Sequence, residues 1–440
     1  MKDGRTKILF AVLMFCVLGG CGNENMISDS DFQPVLNENG REEVRLCAST
    51  FSVTMHEVVA DYNNQSDRYE IVLVEFDNKT SPDDQRTRIQ LELTNGGGPD
   101  LLTSTALQRI DMKPYAEAGV FLDVTDFLTE QGDIVSNVAE ANRVNGRLYG
   151  VPYSFSLGTM VTSPQMATDI ENWTKDYCMQ TAQDREVSLF IKAPYGWTKE
   201  KAGLYVLNVL GVGMGGIQLF VDEEQRISSF EQSEFIEMLE FAKRYSDPQP
   251  EKQDSGRLAS GEQFCTALFI NDFNSFSYCR ELFEGTPVYM GYPSPQGGVY
   301  ELWVQSIYIN AAYDHKEGAK DFLIYLLSDE TQRKLVIGNG NFPVKQSFLE
   351  TLWKEAQEEV LDENTGYERG DIFLKPDLMT QEDESIFWEM LEHSIYYQWQ
   401  NDIWDIIEEE ALPFFYGEKQ AEDVANAIDS RVQLYLNERN

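Results

Sequence analysis

The chain has 440 residues, 42% of them hydrophobic, and its 74 acidic against 35 basic side chains give a net charge of −39. That length and apolar content suffice for about two to three globular domains with real cores and exclude a disordered polymer. The charge excludes nucleic acid as a natural partner, since phosphate binding needs clustered Lys and Arg, and it opposes adhesion to anionic membranes. It reads instead as a solvated acidic surface.

At the start, Lys2, Arg5 and Lys7 precede an apolar run from Ile8 to Leu18, too short for a comfortable membrane span, and Leu18-Gly19-Gly20-Cys21 follows. Residues 1–20 resemble a bacterial lipoprotein signal peptide. The resemblance implies that Cys21 receives a diacylglyceryl group and becomes the N-terminus of an exported protein. Residues 21–43 are polar and acidic and read as a lipid-anchored flexible spacer; fully extended, about twenty residues reach roughly 70 Å. No later segment is apolar over the roughly twenty residues that a bilayer crossing needs. Cys47, Cys178, Cys265 and Cys279 could form two disulfides, but their wide, irregular spacing is not that of a stapled framework. No CxxC pair or His/Cys cluster points to a metal, and His56, His315 and His393 are isolated; neither a metal nor a cofactor is expected.

The globular part begins with a strand at 44–48, a helix at 53–63, a strand at 70–76, a helix at 83–94 and a short strand at 100–103. The second helix is stopped by Asn95-Gly96-Gly97-Gly98-Pro99. Alternating strands and helices define an α/β sheet with crossover helices, whose ligands collect outside the strand ends. Residues 145–153 read as a hairpin turn feeding an extended strand, with an edge or bend at Pro152. The middle region contains helices near 199–209 and 232–245, a glycine-rich turn at 211–216, a strand at 218–221, an apolar run at 266–270 and a loop at 291–298. The last third is mostly helical, with helices expected at 316–327, 329–337, 348–360, 382–397, 402–410 and 421–437. The last of these carries Val424, Ile428, Val432 and Leu436 on one face.

Several of these segments, taken in order, resemble the extracellular solute-binding proteins of ABC importers, in the carbohydrate-binding branch that includes maltose-binding protein. They are Asp61-Tyr62-Asn63 before the 70–76 strand, Gly97-Gly98-Pro99-Asp100-Leu101-Leu102, Tyr115-Ala116-Glu117-Ala118-Gly119, Val144 to Pro152, Gly318-Ala319-Lys320-Asp321-Phe322, Leu326 to Glu330, and Asn341-Phe342-Pro343-Val344. The resemblance implies a two-lobe periplasmic-binding-protein-like fold with a hinge between the lobes and a helix-rich C-terminal part. Residues 44–152 plus 303–344 would form the N-lobe, and residues 153–302 plus 345–440 the C-lobe, with chain crossings near Tyr153, Trp303 and Val344. It also implies a lipid-anchored monomer on the extracellular face of a bacterial membrane, which captures a small molecule by lobe closure and delivers it to permease subunits.

Sugar binders need aromatic platforms beside a few polar groups. The resemblance places Thr50, Phe51, Ser104, Tyr153 and Phe155 on one side of the cleft, and Tyr195, Trp197, Asp272, Phe273, Asn274, Trp399 and Trp404 on the other. Phe155, Trp197, Phe273 and Trp399 are the stacking candidates, Asp272 and Asn274 the polar ones. Where maltose-binding protein has an aromatic after its Pro-Asp strand, this chain has Ser104, so an oligosaccharide is expected but not maltose in particular. A polyamine or another cationic ligand fits the same aromatic and acidic content. GxSxG, HExxH and P-loop motifs are absent, so no catalytic residue is expected; a two-carboxylate glycosidase and an adhesin stand as lesser readings.

Overall fold

The computed structural model describes residues 36–438, apart from short segments at 77–78, 108–109, 111, 168–171, 191–197, 212, 248–255, 284–285, 296, 314–315, 362–366, 370–371, 375–376 and 397–400. The principal strands are β1 (Glu42–Ala48), β2 (Tyr69–Glu75), β3 (Leu101–Thr103), β4 (Gly150–Thr162), β5 (Ser188–Phe190), β6 (Gln263–Ile270), β7 (Gly297–Ile309) and β8 (Ser394–Tyr396). The principal helices are α1 (Val53–Gln65), α2 (Pro82–Thr94), α3 (Lys199–Gly211), α4 (Ser233–Tyr245), α5 (Asn274–Leu282), α6 (Lys316–Leu326), α7 (Asp329–Asn339), α8 (Gln346–Glu358), α9 (Gln381–Glu392), α10 (Asn401–Phe415) and α11 (Ala421–Glu438).

One mixed sheet runs through the molecule in the order β2-β1-β3-β7-β4-β6-β5, with β8 on the far edge of β7. β1 pairs in parallel with β2 and β3, as crossover helices require, and β5 pairs in parallel with β6. Between these two parallel groups lie β4 and β7, two antiparallel strands of 13 residues each. They are about twice as long as an ordinary strand and belong to both ends of the sheet.

Local chemistry explains the helix starts. Ser52, Ser81 and Ser328 each accept a backbone N–H from the first turn of α1, α2 and α7, and Pro82 supplies the fixed φ that opens α2. Thr380 and Asp383 form a reciprocal capping box on α9. Three apolar clusters hold the elements. The largest joins β1, α1, α6, α7, α8 and α9 to one face of β4, β6 and β7. A second gathers α3, α4, α10 and α11. A third lies under α2, where Ile89 and Leu93 meet Cys47 and Leu102.

Several elements differ from expectation. The helix expected at 382–397 ends at Glu392, His393 caps it, and residues 394–396 pair with β7 as β8. The expected strand at 218–221 is largely the 3-10 helix Gly213–Leu219. The 291–298 loop contains a short strand, Tyr292–Ser294, that folds back on the start of β7. The helix expected at 402–410 continues to Phe415, with Pro413 inside it. Pro152 lies within β4, where the register with β7 slips between Gln305 and Ser306; a bulge accommodates a residue that cannot donate to the ladder. Cys47, Cys178, Cys265 and Cys279 are buried free thiols. Among the described residues no helix is long and apolar enough to cross a membrane, and no group of three or more His, Cys, Asp or Glu is placed to hold a metal ion.

Candidate functional site

The C-terminal ends of β1 and β3 meet the middle of β7. Ser104 donates its N–H to Ser306 O (2.8 Å) and accepts the Ser306 N–H on its hydroxyl (3.2 Å). Ser49 Oγ donates to Thr105 O (2.7 Å), so the loop after β1 is tied to the loop after β3. One residue from Ser306, Gln305 accepts a hydrogen bond from Ser154 of β4 (2.8 Å). A row of hydroxyl and amide groups thus runs along the paired strands β4 and β7, with Ser104 and Gln305 half-buried and Ser154 and Ser306 buried.

Strand register decides what stands beside that row. Trp303 is opposite Ser156, Glu301 is opposite Gly158, and Phe269 of β6 is also opposite Gly158. Opposed residues share a face, so Phe269, Trp303, Glu301 and Ser156 lie together, while Phe155 and Leu157 turn to the other side. Trp303 is 41% exposed and Phe269 44%, and they meet edge to face with centroids 5.6 Å apart. Glu301 is 5% exposed and lies across Gly158, where a Cβ would be 2.9 Å from its Oε2. Burial raises the phenols of Tyr205 and Tyr292, which hydrogen-bond to one another, and the Glu301 charge raises them further. Both phenols therefore stay protonated at neutral pH.

The residues expected at the site divide accordingly. Phe155 is 1% exposed, exchanges two backbone hydrogen bonds with Phe342, and packs on its ring at 5.4 Å. Phe273 is 2% exposed among Phe342, Trp353 and Phe387. Their expected role as stacking platforms is therefore corrected: these rings fill the core, because they fall on the inward parity of their elements. Tyr153 is buried too; burial pushes its phenol far up, and its carbonyl accepts Gln332 Nε2 (3.0 Å). Trp404 is half-buried against the α3/α4/α10/α11 cluster.

Thr50 is exposed and Phe51 half-buried on the loop after β1. The Phe51 N–H donates to Glu75 Oε1 (2.6 Å) and its ring meets His56 edge-on. Asp272 is half-buried and its Oδ1 accepts the Ser275 N–H (2.9 Å) and hydroxyl (3.0 Å) at the start of α5, whose first residue is the half-buried Asn274. Tyr195, Trp197, Trp399 and Cys21 lie outside the described residues. Trp303 was named from the sequence only as a chain crossing, Ser154 lay unremarked between Tyr153 and Phe155, and Phe269, Ser156 and Gln305 were not singled out. The alternation Tyr153-Ser154-Phe155-Ser156-Leu157 is the signal that could have found two of them, since it puts the serines on the face opposite the core.

The glycine-rich turn after α2 holds structure together. Asn310 Nδ2 donates to Gly97 O (2.9 Å) and Pro99 O (3.1 Å), and the buried Asp100 accepts the Arg45 N–H (2.7 Å).

A mixed sheet whose two parallel ends are joined by two long antiparallel strands, with an exposed aromatic pair at the junction, defines a two-lobe binding protein. The chain belongs to the bacterial extracellular solute-binding proteins, whose family profile matches residues 57–361. No curated protein sequence matches it. Among solved structures it is similar to an ABC substrate-binding protein of Listeria monocytogenes in complex with cycloalternan, with TM-score 0.56, 14% identity, and 90% of this chain and 99% of that one covered. It is also similar to maltose-bound MalE3 of Thermotoga maritima (TM-score 0.53, 13% identity, 89% and 99% covered). The GacH receptor of Streptomyces glaucescens, solved with and without acarbose, is comparable (TM-score 0.53, 12% identity, 90% and 99% covered). These likenesses establish the periplasmic-binding-protein-like fold.

Proposed function

We propose that the protein is the capture subunit of an ABC importer and that its ligand is a neutral oligosaccharide lying on the β4–β7 face. The observation that carries this reading is the Trp303–Phe269 pair, two half-exposed rings beside the half-buried Ser156, Gln305 and Ser104. Sugar C–H faces pack on such rings, and sugar hydroxyls exchange hydrogen bonds with hydroxyl and amide groups. The cycloalternan, maltose and acarbose held by the similar structures support the ligand class.

Charge favours the sugar over a polyamine. The carboxylates nearby already accept hydrogen bonds or lie buried: Glu75 from Phe51, Asp272 from Ser275, and Glu301 beneath the face. Among the described residues, Glu75 is the exposed carboxylate of these three, on the loop side of the face. Thr50 and Phe51 contribute from the loop after β1. Residues 44–152 plus 303–344 form one lobe in this proposal and 153–302 plus 345–440 the other, with the ligand favouring the closed arrangement by its differential affinity. Cys21 carries the lipid and the segment between it and Leu36 spans from membrane to body, which gives an acidic protein residence at the extracellular face and access to the permease. This segment is shorter than the 21–43 spacer expected, because residues 36–43 belong to the body and β1.

The family is one of solute binding, and in this proposal the ligand is released unchanged. Tryptophan fluorescence and calorimetry with maltose, maltotriose, cycloalternan, acarbose, putrescine and spermidine test the proposal, together with mass spectrometry of co-purifying small molecules. Saturable binding of a neutral sugar is expected. Saturation by spermidine with silence toward every sugar would overturn it, and glycan cleavage would replace binding by catalysis.

A further inference from the structure

Arg86 lies on α2, which packs on the cluster of Cys47, Ile89, Leu93 and Leu102. Asp402 lies in the first turn of α10, which belongs to the separate cluster built on α3, α4, α10 and α11. Arg86 Nη1 nevertheless stands 3.5 Å from Asp402 Oδ1. These two clusters share no residue, and the largest core lies between them in the sheet, so the ion pair links α2 to α10 directly, outside the core that the two lobes have in common.

Both partners are braced from their own side. Asp83 holds Arg86 Nη2 at 3.4 Å within α2, and Tyr435 of α11 donates its hydroxyl to Asp402 Oδ2 (3.1 Å). Arg86 Nη1 is shut off from solvent and makes no hydrogen bond, and the carboxylate facing it is that of Asp402, while Asp83 faces Nη2. A shielded guanidinium gains more from such a neighbour than an exposed one does. We propose that Arg86 and Asp402 form an inter-lobe latch that biases the two lobes toward their approach before any ligand binds. The latch rests on the two-lobe fold and is independent of what the ligand is. It sets the population of the binding-competent state, and through it the apparent affinity for any ligand.

The test uses the full chain without added ligand, with Cys16 and Cys21 replaced by serine. Nitroxide labels are placed by L91C and L434C at two exposed positions, on α2 and α11, and pulsed electron resonance reads the distance between them. R86Q and D402N are each expected to lower the ratio of short to long distances about two- to fivefold, the range of a partly exposed ion pair. The R86Q/D402N double variant should be no lower than either single, because both remove the same interaction. Raising NaCl from 50 mM to 1 M should lower the ratio in the unsubstituted pair and leave the double variant unchanged. Distance distributions that are identical in all variants, or single effects that add in the double variant, would overturn the latch. Failure of every sugar to bind would overturn the ligand assignment and leave these distances as they are.

Discussion

Replacing Trp303 by alanine removes the largest partly exposed ring on the β4–β7 face. A tryptophan side chain offers at most about 250 Å². With 41% of Trp303 free, about 100 Å² remains for a ligand to cover. At about 25 cal/mol per Å², full coverage contributes about 2.5 kcal/mol, and coverage of one ring face about half of that. The W303A variant should therefore bind its sugar about 8- to 70-fold more weakly, while W303F keeps part of the affinity. Calorimetry with the best-binding sugar of the panel measures the loss, and a thermal melt separates it from unfolding; little change in Tm is expected, because Trp303 contributes to none of the three cores. Phe269, edge-on to Trp303, gives an independent control, since F269A should weaken the same ligand by exposing and loosening the indole. Affinity unchanged within twofold in both variants would refute the placement of the ligand on this face.

Gly338 of α7 is packed against α1, so that an added Cβ would sit 2.0 Å from Thr54 Oγ1. G338A should lower the urea midpoint with an unchanged slope: overpacking costs about 1–3 kcal/mol and outweighs the roughly 1 kcal/mol that alanine gains as a helix former. An unshifted or raised midpoint would show that the helices separate freely. The four buried cysteines should resist Ellman's reagent at pH 8 in the native Cys16→Ser/Cys21→Ser chain and all react in 6 M guanidinium. Burial, and then the charge of Glu92, pushes the Cys47 thiol up from 9.0 to about 12, and burial raises Cys178 as well. Prompt native-state modification of any of the four would refute that burial. Hydrogen bonds from Arg333 hold the Glu355 carboxyl below its usual range, and those from Lys419, then Arg431, do the same for Glu410. A depressed folded-state pKa gives stability that is present above the unfolded value near 4.5 and is lost as pH falls through the folded one. The E355Q/E410Q variant should therefore lose less stability than the parent when urea midpoints are compared between pH 6 and pH 3, and an equal loss would remove these pairs from the acid response.

The parallel end of the sheet was legible because its signals are local. Apolar runs at 44–48 and 70–76 and a glycine-proline stop at 96–99 each act within a few residues. The site was less legible, because strand parity across the crossing is fixed by partners far along the chain. Phe155 and Phe273 have the chemistry of sugar platforms and were chosen on that chemistry. Their faces are instead closed by Phe342 and Phe387, residues that no short window contains. Trp303 was read from the sequence only as a chain crossing, and its pairing with Ser156 is what sets the face it occupies. The 382–397 helix failed for a similar reason: residues 394–396 find a long-range strand partner in β7, which outcompetes helix continuation.

Pro152 shows how the crossing is built to survive a break in its own ladder. It cannot donate to β7, the register slips beside it, and Tyr153 is left facing away from the β7 ladder. Gln332 repairs the gap. Its Nε2 donates to Tyr153 O and Leu326 O, both 3.0 Å away, and its Oε1 accepts the Val344 N–H at 2.9 Å. One fully buried amide thus joins β4, the end of α6 and the 341–344 segment, while Phe342 exchanges hydrogen bonds with Phe155 two residues further along β4. A buried amide with an unmet donor or acceptor would cost about 1–3 kcal/mol, so this arrangement tolerates little local sliding. If the lobes move, the change in backbone angles therefore falls on β4 and β7 beyond the Gln332 clamp, toward Ser156 and Trp303. The face proposed for the ligand lies there, so binding and lobe movement act on the same few residues.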